Sequence, residues 1–118
     1  MATSDAQQQT SYEITPRVWR DEQPGDDPRL LVSITFVPRQ SSERWQDVRL
    51  RTLEVRTSDR SWTPKESGVS PLGDGGFELK ASGDATLPAG VKAVVVVTVQ
   101  TSEGERHLEL PTEIRRVG

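Results

Sequence analysis

The chain has 118 residues, no cysteine and a formal net charge of −3, from 15 basic and 18 acidic side chains. This length suits one domain that buries about two-thirds of its unfolded surface. The lack of cysteine excludes disulfides, thiolate metal sites and a cysteine nucleophile, and the acidic balance argues against nonspecific binding of nucleic acid.

Residues 1–10 are polar and rich in glutamine, which predicts a disordered tail before a single domain over residues 11–118. The tail lacks the apolar segment of a signal peptide. If Met1 is the natural start, we expect a cytoplasmic protein; if a signal peptide has been removed, we expect an exported one. No apolar run is long enough to span a bilayer, so we expect no membrane insertion. Twelve arginines against three lysines indicate a GC-rich bacterial genome.

The first predicted strand carries apolar side chains at alternate positions from Tyr12 and continues through Val18 and Trp19. Pro16 interrupts it, and sheets tolerate proline mainly on edge strands. The sequence therefore predicts an edge strand that is split at Pro16. Proline and glycine then mark residues 21–27 as a loop, and this loop gathers four carboxylates.

The second predicted strand covers residues 29–37 and ends before Pro38. Successive side chains of a strand point to opposite faces, so alternate residues share an environment. One face of this strand is entirely apolar and is expected in the core: Leu30, Val32, Ile34 and Phe36.

The third predicted strand, residues 47–57, changes phase halfway along. Its inward apolar positions follow a period of two at Val48 and Leu50, and then jump three residues to Leu53 and Val55. One extra residue in a strand is a β-bulge, which we expect near Arg51–Thr52. A short amphipathic helix is the alternative.

Residues 58–76 predict a long loop with a short strand around Trp62, because proline and glycine recur there. An alternating strand follows at residues 77–81, and residues 82–84 predict a turn.

The central predicted strand spans residues 90–100, where β-branched residues crowd. One face is apolar throughout and belongs in the core, whereas the other is polar at its ends and carries Val94 and Val96 in its middle. A glycine-containing loop and an alternating strand at residues 106–110 follow, which predicts a β-hairpin. The last strand can extend past Pro111 along an edge.

Together these elements predict an all-β fold, a single antiparallel β-sandwich of about seven strands. The corner Leu87-Pro88-Ala89-Gly90-Val91 and the strand after it resemble the corner before the sixth strand of fibronectin type III and other immunoglobulin-like domains. This resemblance covers the last third of the chain. Those domains often place a tyrosine shortly after this glycine, where this chain has Ala93, and there is no cysteine pair. The resemblance implies an architecture and transfers no site residue.

Val94 and Val96 are the first candidate site, a partner face on the outside of the central strand. Apolar side chains at such positions are either covered by long neighbouring side chains or belong to a contact surface. The second interpretation predicts a non-catalytic protein-interaction or structural module. Its partner would be another protein or a second copy of the chain in a dimer.

A ligand-binding sandwich for glycan or calcium is the alternative. Flat aromatic side chains can stack on sugar rings, so Trp19 and Trp45 are candidates for a glycan platform. Calcium prefers oxygen ligands such as the carboxylates of residues 21–27, although their spacing matches no known calcium loop. Because tryptophan also fills cores, we expect at least one of the three tryptophans to be in the core, with Trp62 and Trp19 as the first candidates.

The single histidine, His107, is expected to face solvent beside Glu109. Catalysis needs a convergent set of polar groups in a pocket, and nothing in the sequence marks such a set. We therefore expect neither an enzyme nor a cofactor.

Overall fold

The computed structural model describes residues 12–25, 27–39 and 44–117. The tail predicted for residues 1–10, and Asp26 of the acidic loop, lie outside the described residues. The described part of the chain is all-β, with one 3₁₀ turn at Gly73–Gly75 and no α-helix.

The described residues form eight strands, hydrogen-bonded into one sheet in the order β4-β3-β7-β8-β1-β2-β6-β5. In chain order these strands are β1 (Tyr12–Asp21), β2 (Arg29–Pro38), β3 (Arg49–Arg56), β4 (Ser61–Trp62), β5 (Glu66–Pro71), β6 (Phe77–Asp84), β7 (Lys92–Thr101) and β8 (Gly104–Val117).

The sheet curls into a half-barrel, and the connection between its two outermost strands explains why. A flat sheet of eight strands would be about 34 Å wide, since neighbouring strands lie about 4.8 Å apart. Yet β4 and β5, at opposite ends of the order, are joined by only Thr63, Pro64 and Lys65. Four Cα–Cα steps span at most about 15 Å, so the ends of the sheet must approach each other.

The long strand β8 joins the two halves of the sheet. It pairs antiparallel with β7 as far as Glu113, and from Ile114 to Val117 it pairs parallel with Val18–Asp21 of β1. The strand passes through Pro111 without a break, which confirms the predicted extension, but β8 lies between β7 and β1 and not at an edge of the sheet. The prediction of an entirely antiparallel arrangement is wrong, because β8 and β1 pair parallel, whereas the eight strands of the described residues are close to the predicted number of about seven. Alternation along a strand carries no information about the direction of its neighbour.

Side chains from both halves meet in one core inside the curl. The predicted core face of β2 is confirmed, with all four of its side chains buried. On β7, the predicted inward residues of the central strand are also buried: Ala93, Val95, Val97 and Val99. Trp62 is 5% exposed, which confirms that a tryptophan belongs to the core.

The predicted irregularity in β3 is confirmed. The pairing of β3 with β7 shifts by one residue between Leu50 and Thr52, so Arg51 is the extra residue. The bulge explains how Leu53 and Val55 reach the core while the first half of the strand follows the opposite phase.

The predicted break at Pro16 is wrong. β1 continues through this residue, which lies opposite Ile34 of β2. β8 pairs with β1 only from Val18 onward, so Pro16 occupies the part of β1 that has a strand neighbour on one side. A missing backbone N–H is tolerated at such an edge.

The loop predicted for residues 58–76 contains a second strand besides β4. β5 pairs antiparallel with β6 and carries few apolar residues, which is why its alternation is weak in the sequence. The turn predicted at residues 82–84 is also wrong, because β6 continues to Asp84. Gly83 packs against Trp62, where an added Cβ would lie 3.0 Å from the indole ring.

Candidate functional site: a groove on the outer face

The outer face of the β1-β2-β6-β5 half carries two parallel rows of side chains, fixed by the strand register. Trp19 of β1 lies opposite Leu31 of β2, and Ser82 and Glu66 continue this row on β6 and β5. In the next row the corresponding residues are Arg17, Ser33, Lys80 and Gly68. An aromatic and aliphatic pair therefore lies directly beside a polar row.

These two rows line a groove of about 590 Å³, which we call the outer groove. Trp19 and Leu31 are both half-buried and form the apolar part of its floor. Gly68 has no side chain that could fill the end of the groove near β5, and a Cβ added at this residue would have no atom within 4 Å. The outer groove therefore runs across the sheet to the edge strand.

The carboxylate of Glu78 is held in place within the outer groove. The Ser33 hydroxyl donates a hydrogen bond of 2.5 Å to a carboxylate oxygen of Glu78. The Lys80 ammonium lies 3.8 Å from the other oxygen of Glu78. Arg17 and Glu66 complete a lining with two cations and two carboxylates. The outer groove is therefore charge-balanced, and a ligand would bind it through apolar contact and hydrogen bonds more than through net charge.

Trp45, the other predicted platform residue, belongs to an aromatic cluster away from Trp19. Its ring centroid lies 4.9 Å from that of Tyr12 and 6.3 Å from that of Phe77. Its backbone N–H donates to the Tyr12 hydroxyl at 2.8 Å, and the Arg106 guanidinium lies 5.8 Å from the indole centroid. The two tryptophans therefore do not share a surface, and Trp19 is the one that lines the outer groove.

Val94 and Val96 lie on the outer face of the other half of the sheet. Val96 is only 8% exposed and Val94 is half-buried. Glu54 of β3 and Glu109 of β8 lie directly opposite Val96, and we attribute its cover to their methylene stems. Val94, Val96 and Pro111 nevertheless line an open depression of about 510 Å³ on this face, and its surface is mostly apolar.

His107 faces outward beside Glu109, as predicted. Its Nδ1 lies 3.0 Å from the hydroxyl of Thr98, and its Nε2 lies 3.5 Å from a carboxylate oxygen of Glu109. A hydroxyl, an imidazole and a carboxylate in this order have the connectivity of a catalytic triad. The His107 side chain is 48% exposed on the strand face, so solvent reaches the group.

The acidic loop contributes ion pairs at the end of the half-barrel. Glu22 binds the Arg20 guanidinium through one carboxylate oxygen and the Arg116 Nε, at 3.1 Å, through the other. Both oxygens of Glu22 are thereby engaged. Within residues 12–25, 27–39 and 44–117, no group of three or more histidine, aspartate or glutamate side chains is arranged to hold a metal ion.

One carboxyl group has a clearly perturbed pKa. Asp84 accepts a hydrogen bond from the Lys65 ammonium at 2.8 Å, and this bond, with the positive charge of Lys65, holds the pKa of Asp84 below its usual value. The backbone carbonyl of the same residue accepts a 2.7 Å hydrogen bond from the indole N–H of Trp62. Asp84 thus connects β6 to Trp62 of β4 and to Lys65 in the β4–β5 connection.

Most of the outer groove leaves little signal in the sequence. Trp19 is a predicted platform residue, whereas the alternation of β2 places Leu31 on the face opposite its core residues, and neither Gly68 nor Lys80 stands out in its segment. Leu31 gave a usable signal, since it is a large apolar residue on the face that the alternation of β2 assigns to solvent. The position of Gly68 required knowledge of β5 and its register.

Comparison of the chain with protein-family models, with curated proteins and with solved structures finds no significant match. Across the part of the chain that the structure describes, no helix is long and apolar enough to cross a membrane.

Proposed function

We propose that the curled sheet is an immunoglobulin-like β-sandwich. In constant-type immunoglobulin domains one sheet has the strand order A-B-E-D and the other C-F-G. We letter the strands in chain order and treat β4 as a short extra strand beside β3. One half of the sheet, β1-β2-β6-β5, then has the order A-B-E-D, and the other half, β3-β7-β8, has the order C-F-G. This agreement in strand order supports the proposal, as does the corner of Leu87 to Val91 that precedes β7.

We propose that the protein is a non-catalytic recognition module that binds another protein through the outer groove. The observation that carries this proposal is an apolar floor of Trp19 and Leu31 that lies beside hydrogen-bonding side chains and opens at Gly68. Binding sites typically combine apolar lining with a few placed polar groups. Tryptophan and arginine, here Trp19 and Arg17, are enriched among the residues that dominate protein interfaces.

The open edge of β5 favours an extended peptide segment as the bound element. Among the described residues, β5 is the last strand of the sheet and pairs with a strand only on its β6 side. Such an edge offers backbone N–H and C=O groups to an added strand. Glu66, Ser67 and Gly68 of β5 also line the outer groove, so a peptide at this edge would form one border of the groove.

The test is selection of binders from a random peptide library displayed on phage, with the purified chain as the target. We expect enriched peptides whose affinity falls at least about tenfold in a Gly68→Gln variant, because the new side chain fills the groove. Trp19→Ala should cause a similar loss.

Gly73→Gln is the matched control. Gly73, like Gly68, has nothing within 4 Å of an added Cβ and does not have a positive φ, but it lies outside the outer groove. The control should bind as the native chain does, and all variants should melt cooperatively. Peptides that bind the Gly68→Gln variant as tightly as the native chain would refute the proposed site.

A glycan is the second candidate for the outer groove. The half-buried indole of Trp19 lies beside Arg17, Ser33 and Lys80, which can donate hydrogen bonds to sugar hydroxyls. A glycan array probed with the native chain and with Trp19→Ala distinguishes the two candidates. Signals that require Trp19, in the absence of any selected peptide, would favour the glycan.

A further inference from the structure

A second cleft lies at one end of the half-barrel, where the end of β1 meets the β3–β4 turn, the β6–β7 loop and the end of β8. We call it the basic cleft, and its volume is about 700 Å³. It shares no lining residue with the outer groove. Its charged lining residues are Arg20, Glu22, Asp59, Arg60, Lys92 and Arg116.

The charge of this cleft is opposite to that of the whole chain. Four cations face two carboxylates, which leaves a surplus of two positive charges, whereas the chain carries a net charge of −3. Arg20 and Arg116 share the single carboxylate of Glu22. Glu113 lies opposite Lys92 across the β7–β8 pair but does not line the cleft.

Arg20 gives the cleft a rigid base. Its side chain is 21% exposed, and one guanidinium nitrogen donates hydrogen bonds to the backbone carbonyls of Ala85 at 3.1 Å and Leu87 at 2.8 Å. Arg60 likewise donates to the carbonyl of Thr86 at 3.2 Å. The β6–β7 loop therefore accepts hydrogen bonds from Arg20 and from Arg60. Because these bonds already position the two guanidinium groups, binding a ligand costs less conformational entropy there.

Hydroxyl groups complete the lining. Thr57, Ser58 and Thr86 all contribute to the cleft, and hydroxyls can donate to a ligand oxygen. The cations come from β1, β7, β8 and the β3–β4 turn, so the donors converge from several directions. A tetrahedral oxyanion with several acceptor oxygens fits this arrangement, and a dianion would balance the surplus charge.

We propose that the basic cleft binds a small ligand through a phosphate or sulfate group. This inference does not depend on the function proposed for the outer groove. Lys92 and Arg116 supply exposed positive charge at the rim, while Arg20 supplies largely buried positive charge at the base.

The test is titration of the native chain with inorganic phosphate and with sulfate, followed by amide chemical shifts in NMR. Sodium chloride at matched ionic strength is the reference, because long-range charge effects are screened by salt. We expect saturable shifts centred on the β3–β4 turn, the β6–β7 loop and the end of β8. Chloride should give no saturable shifts there.

Lys92→Gln and Arg116→Gln should each weaken binding about fivefold, since each removes one cation at a partly exposed site. Arg115→Gln is the matched control, because Arg115 neighbours Arg116 on β8 but does not line the cleft. Non-saturable shifts, shifts reproduced by chloride, or equal affinity in all three variants would overturn the proposal.

Discussion

At the scale of single residues, the positions with the clearest roles are those that connect two elements. Trp62 fills the core with its ring and uses its N–H to bind the carbonyl of Asp84. Trp19 has the same side chain but lies on the outer face, because its phase on β1 is opposite to that of buried Val18. The sequence predicts at least one core tryptophan, with Trp62 and Trp19 as the first candidates, and the choice between them depends on the phase of each strand.

The carboxyl of Asp84 should report directly on Lys65. Replacing Lys65 with Met removes both the hydrogen bond and the positive charge that stabilise the carboxylate, so the pKa of Asp84 should rise toward its usual value. A carboxyl whose pKa is lower in the folded than in the unfolded state stabilises the fold above its unfolded pKa, and this stabilisation is lost as the pH falls through the folded pKa.

NMR titration of the Asp84 side-chain carbon in the native chain and in the Lys65→Met variant measures this difference. Lys80→Met is a suitable control, because Lys80 pairs with Glu78 instead. An unchanged Asp84 pKa in the Lys65→Met variant would contradict the contact.

Trp62→Phe should destabilise the fold by about 1–3 kcal/mol. The variant removes an indole N–H, leaves the Asp84 carbonyl without that donor and opens space beside Gly83. Urea unfolding monitored by circular dichroism measures the change. The same substitution at Trp45, which is half-buried, should cost less, so a larger loss at Trp45 than at Trp62 would be inconsistent with this packing.

At the scale of elements, alternation predicted the interior strands well and the edges poorly. β2 and β7 have complete apolar faces, and even the bulge of β3 is visible as a change of phase. β5 was missed because an edge strand needs little apolar surface, and its sequence of Glu66 to Pro71 has a single large apolar residue, Val69. The parallel pairing of β1 with β8 leaves no local signal, since it depends on how the sheet curls.

The parallel end of β8 should be essential for closing the two halves onto one core. Ile114 is fully buried at this junction, and its backbone N–H donates to the carbonyl of Val91 at 3.0 Å. Ile114→Ala should destabilise the fold by about 2–5 kcal/mol, because it leaves a cavity where the two halves meet.

Val117→Ala, on the same strand, is the control. Val117 is 44% exposed, so its truncation should change the free energy of unfolding by less than about 0.5 kcal/mol. Thermal or chemical unfolding of both variants measures the difference. Equal effects would mean that β8 contributes no more at the junction than at its exposed end.

At the scale of the whole molecule, the curl of one sheet creates surfaces of different character. Its inside is the core, one outer face carries the charge-balanced outer groove, and one open end carries the basic cleft. The other outer face carries Val94 and Val96, which line a shallow, mostly apolar depression between polar neighbours. The sequence identified the apolar pair on that face because it stands out locally, whereas both clefts are assembled from strands that are distant in sequence.

The most direct test of the central claim is hydrogen–deuterium exchange of the native chain with and without a peptide selected for binding. We predict slower exchange at the backbone amides of β5 and around Leu31, with no change along β7 and β8. Protection centred on Val94 and Val96, with β5 unaffected, would contradict binding through the outer groove and would place the partner face on the opposite side of the molecule.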